Sequence, residues 1–321
     1  MRPTLLMLLG LAAGLSGCGG VVRRMLILHE AITSKVGPDH VITRLDRGFI
    51  EANRDRITLT TDVTVDAAAR INPKLFDGDI HIAVRTPAVQ LRMVAEIMNA
   101  KTAPAAVELA RRAEKSRAPL RMTGVLRFWP EHAIGLPHRQ GEEVERLTNA
   151  NPDHVFELHP VIRIGDLDLL PTMTTVEGYR AGHASRTFEM YQQSDLAIRV
   201  LSNRVYLNTP AGIWNDVHFQ LELTSAVPLI REDGRYLTGR ARDLDGKLLL
   251  DSIRVVLVKD SPPEQALGNR PVGTRLHVWG LPRVSFDGLA RLIEQAGLDT
   301  GWRTTRLPYE ILIIGIYPEG R

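Results

Sequence analysis

Apolar and polar residues alternate along several short segments of the chain. A period of two is the pattern of a β-strand with one buried face. Residues 57–65 (ITLTTDVTV) alternate and are rich in β-branched side chains, which favour strands. Residues 79–85 (DIHIAVR) alternate after an Asp-Gly turn, so Asp79 and His81 are expected to point outward.

The most distinctive alternating segment lies near the middle of the chain, at residues 151–161 (NPDHVFELHPV). Phe156 and Leu158 point to one side of the predicted strand, and Glu157 and His159 point to the other. The segment contains a proline near each end. It therefore predicts a half-buried strand that presents two ionisable groups on an open face.

Further strands and three helices follow from the same patterns. Pro104 suits the first turn of its helix, Thr102 is placed to cap it, and Gly297 is placed to end the last helix. Residues 44–56 hold seven charges in thirteen positions and are interpreted as a solvated turn. The strands are expected over 120–129, 196–201, 217–223, 236–242, 248–259, 274–279 and 309–317, and the helices over 104–115, 184–193 and 286–296. Residues 94–98 fit either a strand or a helix, and the strand is preferred.

One stretch of the first half resembles one of the second half. Residues 120–127 (LRMTGVLR) parallel residues 276–283 (LHVWGLPR), with a glycine in mid-strand where a small barrel bends or a backbone approaches closely. Many short strands and few helices predict a mainly β fold of the α+β kind, built as an OB-like β-barrel or as two in tandem. One larger mixed β domain and a pair of β-sandwiches remain open.

The N-terminus has the pattern of a secretory signal: one arginine, an apolar run from Leu5 to Leu15, then small residues. A membrane-spanning helix needs about 20 apolar residues, roughly twice this run. Leu15-Ser16-Gly17-Cys18 resembles the lipobox of bacterial lipoproteins, in which the cysteine is acylated. The resemblance implies that residues 1–17 are a signal peptide and that lipidated Cys18 anchors the protein in the cell envelope. Gly19 after the cysteine implies the periplasmic face of the outer membrane.

Cysteine use agrees with this resemblance. Cys18 is the one cysteine of the sequence, so no disulfide is expected and no thiol is available for catalysis. An ordinary cleaved signal with an incidental cysteine is the alternative. Residues 18–43 would form the lipidated N-terminus and tether, residues 44–171 an OB-like domain, and residues 172–321 a second β-rich domain. Pro171 and the polar run 172–175 mark the expected boundary.

The net charge says little about partners, whereas the absence of catalytic motifs excludes several classes of enzyme. Forty Lys and Arg residues against 37 Asp and Glu residues give a net charge of +3, which is weak evidence for a polyanionic partner. The sequence lacks the G-x-S-x-G elbow, the phosphate-binding loop, the H-E-x-x-H zinc motif and the dinucleotide G-x-G-x-x-G motif.

Two carboxylate–histidine pairs are the best candidates for a metal site. Asp79 and His81, and likewise Glu157 and His159, are two residues apart on predicted strands, which places each pair on one face about 6.6 Å apart. If those strands were neighbours, the four groups would form a nitrogen–oxygen site for a divalent metal such as Zn²⁺. His132 or His138 would reach in from a loop. Polar residues on the solvated face of a barrel explain the same pattern.

Arginine and aromatic residues suggest a second site, a basic groove with stacking platforms of the kind that OB barrels offer to oligomers. The alternative is that Phe128 belongs to the core and Trp129 covers the barrel edge. A structural role is also expected for His154, which would bond to nearby backbone at the start of its strand. The groove would comprise Arg121, Arg127, Arg139, Phe128 and Trp129.

Residues 124–132 and 151–160 together resemble a group of uncharacterised bacterial proteins with an OB-like domain and an aromatic-Glu-aliphatic-His-Pro strand. Residues 77–82 and 279–283 are also similar to that group, so the resemblance spans most of the chain. It implies an OB-like fold. It implies no activity and no catalytic residues.

These observations favour a lipid-anchored envelope binding module whose partner is an envelope protein, a glycan or a nucleic acid. Ligand contacts are expected from Glu157, His159, His81, Arg127 and the loop from Trp129 to His132. The first alternative is a metal-dependent hydrolase of a phosphodiester or similar polymer. The second is a scaffold in envelope assembly, since barrels of this type host many functions.

Overall fold

A computed structural model describes residues 40–73, 77–133, 136–225, 227–297 and 301–318. The predicted signal peptide, the predicted lipobox and Cys18 lie outside these residues. The strands are β1 (His40–Asp46), β2 (Thr58–Ala68), β3 (Ile80–Arg85), β4 (Met93–Ile97), β5 (Leu120–Phe128), β6 (His138–Arg139), β7 (Phe156–Ile164), β8 (Leu167–Asp168), β9 (Asp195–Leu201), β10 (Arg204–Pro210), β11 (Val217–Leu223), β12 (Leu229–Arg231), β13 (Gly234–Arg242), β14 (Leu248–Val258), β15 (Arg275–Val284), β16 (Arg303–Arg306) and β17 (Tyr309–Ile316). The α-helices are α1 (Arg47–Ala52), α2 (Pro104–Ser116), α3 (Ala184–Gln193), α4 (Pro262–Leu267) and α5 (Phe286–Ala296).

The first barrel is a closed sheet of five strands in the order β4-β3-β2-β5-β7, and parallel pairing of β4 with β7 closes it. Helix α2 connects β4 to β5. The predicted strands at 57–65, 79–85, 94–98 and 120–129 form β2, β3, β4 and β5. Phe128 and Phe156 stack at 4.9 Å between ring centroids in the hydrophobic core.

The second barrel repeats this topology with β11, β13, β14, β15 and β17. Its first strand, β11, pairs with β13 and β15, and β14 runs parallel to β17. In both barrels the first strand pairs with the second and the fourth, and the third runs parallel to the fifth. The prediction of two tandem OB-like barrels in a mainly β fold is confirmed, and the sandwich alternative is wrong because both sheets close.

A third sheet, in the order β16-β9-β10-β1-β6, draws strands from both halves of the chain. Strand β6 lies in the connection between β5 and β7, and β16 lies in the equivalent connection between β15 and β17. The interpretation of residues 44–56 as a solvated turn is wrong, because they contain the end of β1 and helix α1. The pairing partner of β1 is β10, which is remote in sequence, so the local charge pattern gives no sign of it.

The glycines of the repeated segment confirm the expected close approach of backbones. Gly124 and Gly280 lie in the fourth strand of their barrels, each at an irregularity in strand register. A β-carbon on Gly124 would lie 2.8 Å from the Leu158 β-carbon, and one on Gly280 would collide with Ile311. Only glycine fits at these crossings.

The two barrels pack against each other through their outer faces. A hydrophobic cluster joins Val125 and Met98 of the first barrel to Trp279 and Leu312 of the second. Charged side chains also cross this interface. Arg127 Nε donates to the Pro282 carbonyl (2.9 Å), and Arg283 Nη1 donates to the Leu126 carbonyl (3.3 Å).

Two local predictions are wrong. Thr102 does not cap α2: the N-cap position is Ala103, and the Thr102 hydroxyl donates to the Asn99 carbonyl (2.8 Å). The strand predicted at 151–161 has the wrong bounds, since β7 begins at Phe156 and continues past Pro160 to Ile164. The proline lies at a register shift where its missing N–H is tolerated. No helix among the described residues is long and apolar enough to cross a membrane.

Candidate functional site

A row of ionisable side chains crosses the outer face of the first barrel. His81 on β3 lies directly opposite Glu96 on β4, and Glu157 on β7 lies directly opposite Arg127 on β5. Strand β4 runs beside β7, which places Glu96 next to His159. Four neighbouring strands therefore bring these five side chains together.

The expectation that Glu157 and His159 lie on an open face is wrong. Glu157 is 2 % exposed and His159 is 3 % exposed. The neighbouring Arg127 is covered by the Pro282 carbonyl of the second barrel and by the Asn215 carbonyl of the segment before β11. Arg127 is fully buried and donates through Nη2 to the Asn215 carbonyl (3.2 Å). The alternation of β7 correctly identifies two faces, but it does not show that the second face is covered.

The predicted basic and aromatic groove is also wrong. Trp129 is buried, and its indole Nε1 donates to the Trp214 carbonyl (3.1 Å) instead of facing a ligand. Phe128 belongs to the core, as the alternative interpretation expected. The exposed arginines belong to separate ion pairs, Arg121 with Asp62 (3.3 Å) and Arg139 with Glu142 (3.8 Å).

The inner part of the cluster consists of Asp79, Glu96 and His159, which we call the inner triad. His159 Nε2 lies 3.5 Å from Asp79 Oδ2, and His159 Nδ1 lies 3.4 Å from Glu96 Oε2. Neither ring nitrogen makes a hydrogen bond. Asp79, expected to point to solvent, is buried, and its Oδ1 accepts a hydrogen bond from the Asn99 backbone N–H (3.0 Å).

Burial and neighbouring charges shift the pKa values of the inner triad. Burial raises the pKa of Asp79 to about 7, although contact with His159 opposes the rise. Burial alone would lower the pKa of His159, but the carboxylates of Glu96, Asp79 and Glu157 raise it well above its usual value. His159 is therefore a charged imidazolium among carboxylates.

The outer part of the cluster consists of His132, His154 and Glu157, which we call the outer triad. His154 Nε2 lies 3.0 Å from Glu157 Oε1, and the rings of His132 and His154 stack with centroids 5.0 Å apart. Burial lowers the pKa of His132 to about 4, so this ring is neutral at physiological pH. Burial opposes charge on Glu157, yet Arg127 and His154 hold its pKa well below the usual value.

The cluster meets solvent at its outer edge. The His132 side chain is 28 % exposed and that of Glu131 is 20 % exposed, and His132 Nε2 lies 3.6 Å from Glu131 Oε1. His81 is half-buried beside Glu96, with Nε2 and Oε1 3.5 Å apart. Small ligands can therefore reach the outer triad, whereas the inner triad is enclosed.

The structure brings together the four predicted metal-site residues, Asp79, His81, Glu157 and His159, although β3 and β7 are not neighbours. Strand β4 separates them, and Glu96 on that strand bridges the two pairs. His138 does not join the cluster. It lies in the third sheet with Nε2 3.3 Å from Asp153 Oδ1.

Sequence reasoning missed Glu96 and the contact between His154 and Glu157. Glu96 is the one charged residue in the apolar run 93–98 (MVAEIM), and an isolated charge in such a run is the signal that would have identified it. His154 bonds through Nδ1 to the Pro152 carbonyl (2.7 Å), as expected. Its Nε2, which no sequence pattern specifies, faces Glu157.

Comparison with known proteins adds no family. No protein-family model matches the chain, and no curated protein sequence matches it. One solved structure that matches, described as "Structural mimicry for functional antagonism", is 12 % identical, with 70 % of this chain and 83 % of that chain covered. Its TM-score is 0.16, so the match supports no argument about this protein.

Proposed function

We propose that this protein is a lipid-anchored binding module of the cell envelope, held through Cys18 at the periplasmic face of the outer membrane. The lipobox sequence supports the anchor, since multiple acyl chains hold a protein stably on a bilayer. The two barrels share a buried interface and one connecting sheet, so the proposed module presents its ligand site on a single body.

One observation carries the proposal of a ligand site: eight histidine and acidic side chains converge in the first barrel and meet solvent at one edge. Buried ionisable groups that perturb one another are enriched at functional sites. The proposed ligand contacts are therefore His81, Glu131 and His132 at this edge, with Glu157 and His159 behind them. Arg127 and Trp129 are structural.

Replacement of Cys18 tests the anchor. In cells that export the full chain, we expect Cys18→Ser to move the protein from the membrane fraction to the soluble periplasmic fraction. Ser16→Ala is the matched control, because it keeps a small residue in the lipobox and leaves the cysteine intact. Membrane association of Cys18→Ser equal to that of the control would contradict the anchor.

Direct titration tests the binding site. The full-length protein in detergent is titrated with cell-wall glycan fragments and with a single-stranded oligonucleotide as separate probes. We expect one probe to bind, and His132→Asn to weaken that binding at least about tenfold, or about 1.4 kcal/mol. His183→Asn is the control, since this exposed histidine belongs to neither triad. No binding of either probe, or equal binding by both variants, would contradict the site.

A second candidate function, metal-dependent hydrolysis of a phosphodiester, is favoured by Glu131. Its Oε2 is buried without a hydrogen bond beside the outer triad, where a general acid or base would act on a metal-bound water. Hydrolysis of a synthetic phosphodiester by the purified protein, abolished by a chelator and by Glu131→Gln, would support this function. Equal rates with and without protein would exclude it for that substrate class.

A further inference from the structure

We infer that the outer triad, His132, His154 and Glu157, is a binding site for one divalent transition-metal ion of the zinc class. This inference rests on the proposed function, because it names the ligand of the same cluster. Two imidazoles and one carboxylate form a ligand set that zinc uses in sites with an open fourth position.

The spacing of the ligand atoms suits one shared ion. Ligand atoms about 2.0–2.2 Å from a tetrahedral zinc ion lie roughly 3.3–3.5 Å from each other. His154 Nε2 and Glu157 Oε1 are 3.0 Å apart, and one ring nitrogen of His132 lies within 4.8 Å of both. We infer that the partly exposed His132 ring adjusts its position when the ion binds.

Two of the proposed ligands, His154 and Glu157, are already oriented by hydrogen bonds to their other polar atoms. His154 Nδ1 is bonded to the Pro152 carbonyl (2.7 Å), which fixes the ring and directs Nε2 toward Glu157. Arg127 Nη1 is bonded to Glu157 Oε2, which leaves Oε1 facing His154. Ligating histidines and carboxylates of metal sites are oriented by outer partners of these kinds.

The charge of the whole cluster also favours a cation. Asp79, Glu96, Glu131 and Glu157 contribute four carboxyl groups, whereas the Arg127 guanidinium and the His159 imidazolium contribute two positive charges. Buried carboxylates that lack a countercharge are costly, so protons or a metal ion must supply the balance. His159 is 97 % buried and makes no hydrogen bond through either ring nitrogen, and its Nδ1 lies 3.5 Å from Glu157 Oε2, the oxygen that accepts from Arg127.

The inner triad is less suited to an ion than the outer triad. Asp79 approaches His159 at Nε2, whereas Glu96 approaches it at Nδ1, on the opposite side of the ring. The two carboxylates therefore make their nearest approaches to different nitrogens of the ring, although one nitrogen lies within 4.8 Å of an oxygen of each. The inner triad is also enclosed, whereas His132 opens the outer triad to solvent.

Isothermal titration of the chelator-treated, full-length protein with ZnCl₂ tests the inference. We expect one Zn²⁺ per chain. We expect His132→Asn to weaken the affinity for Zn²⁺ at least about tenfold, because loss of even an outer partner of a metal ligand weakens binding by about that factor. His183→Asn is expected to bind like the wild type. Co²⁺ in place of Zn²⁺ adds a spectroscopic readout, since its visible absorption reports the coordination geometry and should change in His132→Asn.

Three outcomes would overturn the inference: no Zn²⁺ binding by the wild type, unchanged binding by His132→Asn, or an unchanged Co²⁺ spectrum. Any of these outcomes would mean that His154 and Glu157 share a hydrogen bond and not a metal ion. Circular dichroism confirms that each variant is folded, and His132→Gln replaces His132→Asn if the latter unfolds. The titration requires neither the anchor nor an envelope probe, so its failure leaves the proposed function standing. Failure of the Cys18 or probe experiments likewise leaves the metal site standing.

Discussion

Arg127 and Arg283 form a reciprocal pair across the interface between the two barrels. Each lies in the fourth strand of its barrel, directly opposite a glutamate of the fifth strand, Glu157 or Glu310. Each also donates to the carbonyl of the residue that precedes the other arginine, Pro282 or Leu126. The sequence repeat that contains them therefore builds a pseudo-symmetric interface.

We predict that breaking one of these buried pairs strongly destabilises the protein. In Arg283→Met, buried Glu310 loses the bond from Arg283 Nε (2.8 Å) and keeps only the longer ion pair with Arg254 (3.4 Å), so a loss of about 3–5 kcal/mol is expected. Urea unfolding measures this loss. Arg121→Met, which breaks an exposed pair with Asp62, should cost less than about 1 kcal/mol. Similar losses in both variants would show that the buried pair does not stabilise the interface.

A second prediction concerns pH and Asp79. Its folded-state pKa of about 7 exceeds the ordinary aspartate value of 3.8, so the folded state binds an extra proton between those pH values. The contribution of Asp79 to the unfolding free energy is therefore largest below about pH 4, and it decreases as the pH rises to about 7. Asp79→Asn keeps an acceptor for the Asn99 N–H and does not titrate. Its unfolding free energy should rise relative to the wild type by a few kcal/mol between pH 5 and pH 8. A constant difference would contradict the raised pKa.

A third prediction concerns the glycine of the first barrel. Gly124→Ala would place a β-carbon 2.8 Å from the Leu158 β-carbon and 3.0 Å from the Pro160 carbonyl, and neither can move freely. A loss of about 1–3 kcal/mol is expected in urea unfolding. Gly48→Ala is the control, since its added β-carbon meets no atom within 4 Å and it lies in helix α1. That variant should be as stable as the wild type or gain up to about 1 kcal/mol.

A fourth prediction links metal binding to stability. A ligand that binds only the folded state at a concentration of 100 times its Kd adds about 2.7 kcal/mol to the unfolding free energy. Zn²⁺ should therefore raise the thermal midpoint of the wild type in differential scanning calorimetry. It should raise that of His132→Asn much less at the same concentration. Equal shifts in the two proteins would indicate that Zn²⁺ acts elsewhere.

The sequence determined the local elements and the repeat. Period-two alternation identified β2, β3 and β5, and the apolar stripe and Gly297 defined helix α5. These features depend on neighbours within a few residues, so they are readable along the chain. The glycines of the repeat, Gly124 and Gly280, indicated a close backbone approach for the same reason, although the predicted strand 274–279 ended before Gly280, whereas β15 continues to Val284.

Only the tertiary structure decided which faces meet. The polar face of β7 has the alternation of a solvated strand, yet the second barrel covers it, because β5 and β15 pack together. The third sheet and the approach of Glu96 to His159 depend on pairings between segments remote in sequence. Alternation specifies that a strand has two faces, whereas burial, pKa values and the composition of the site depend on what packs against each face.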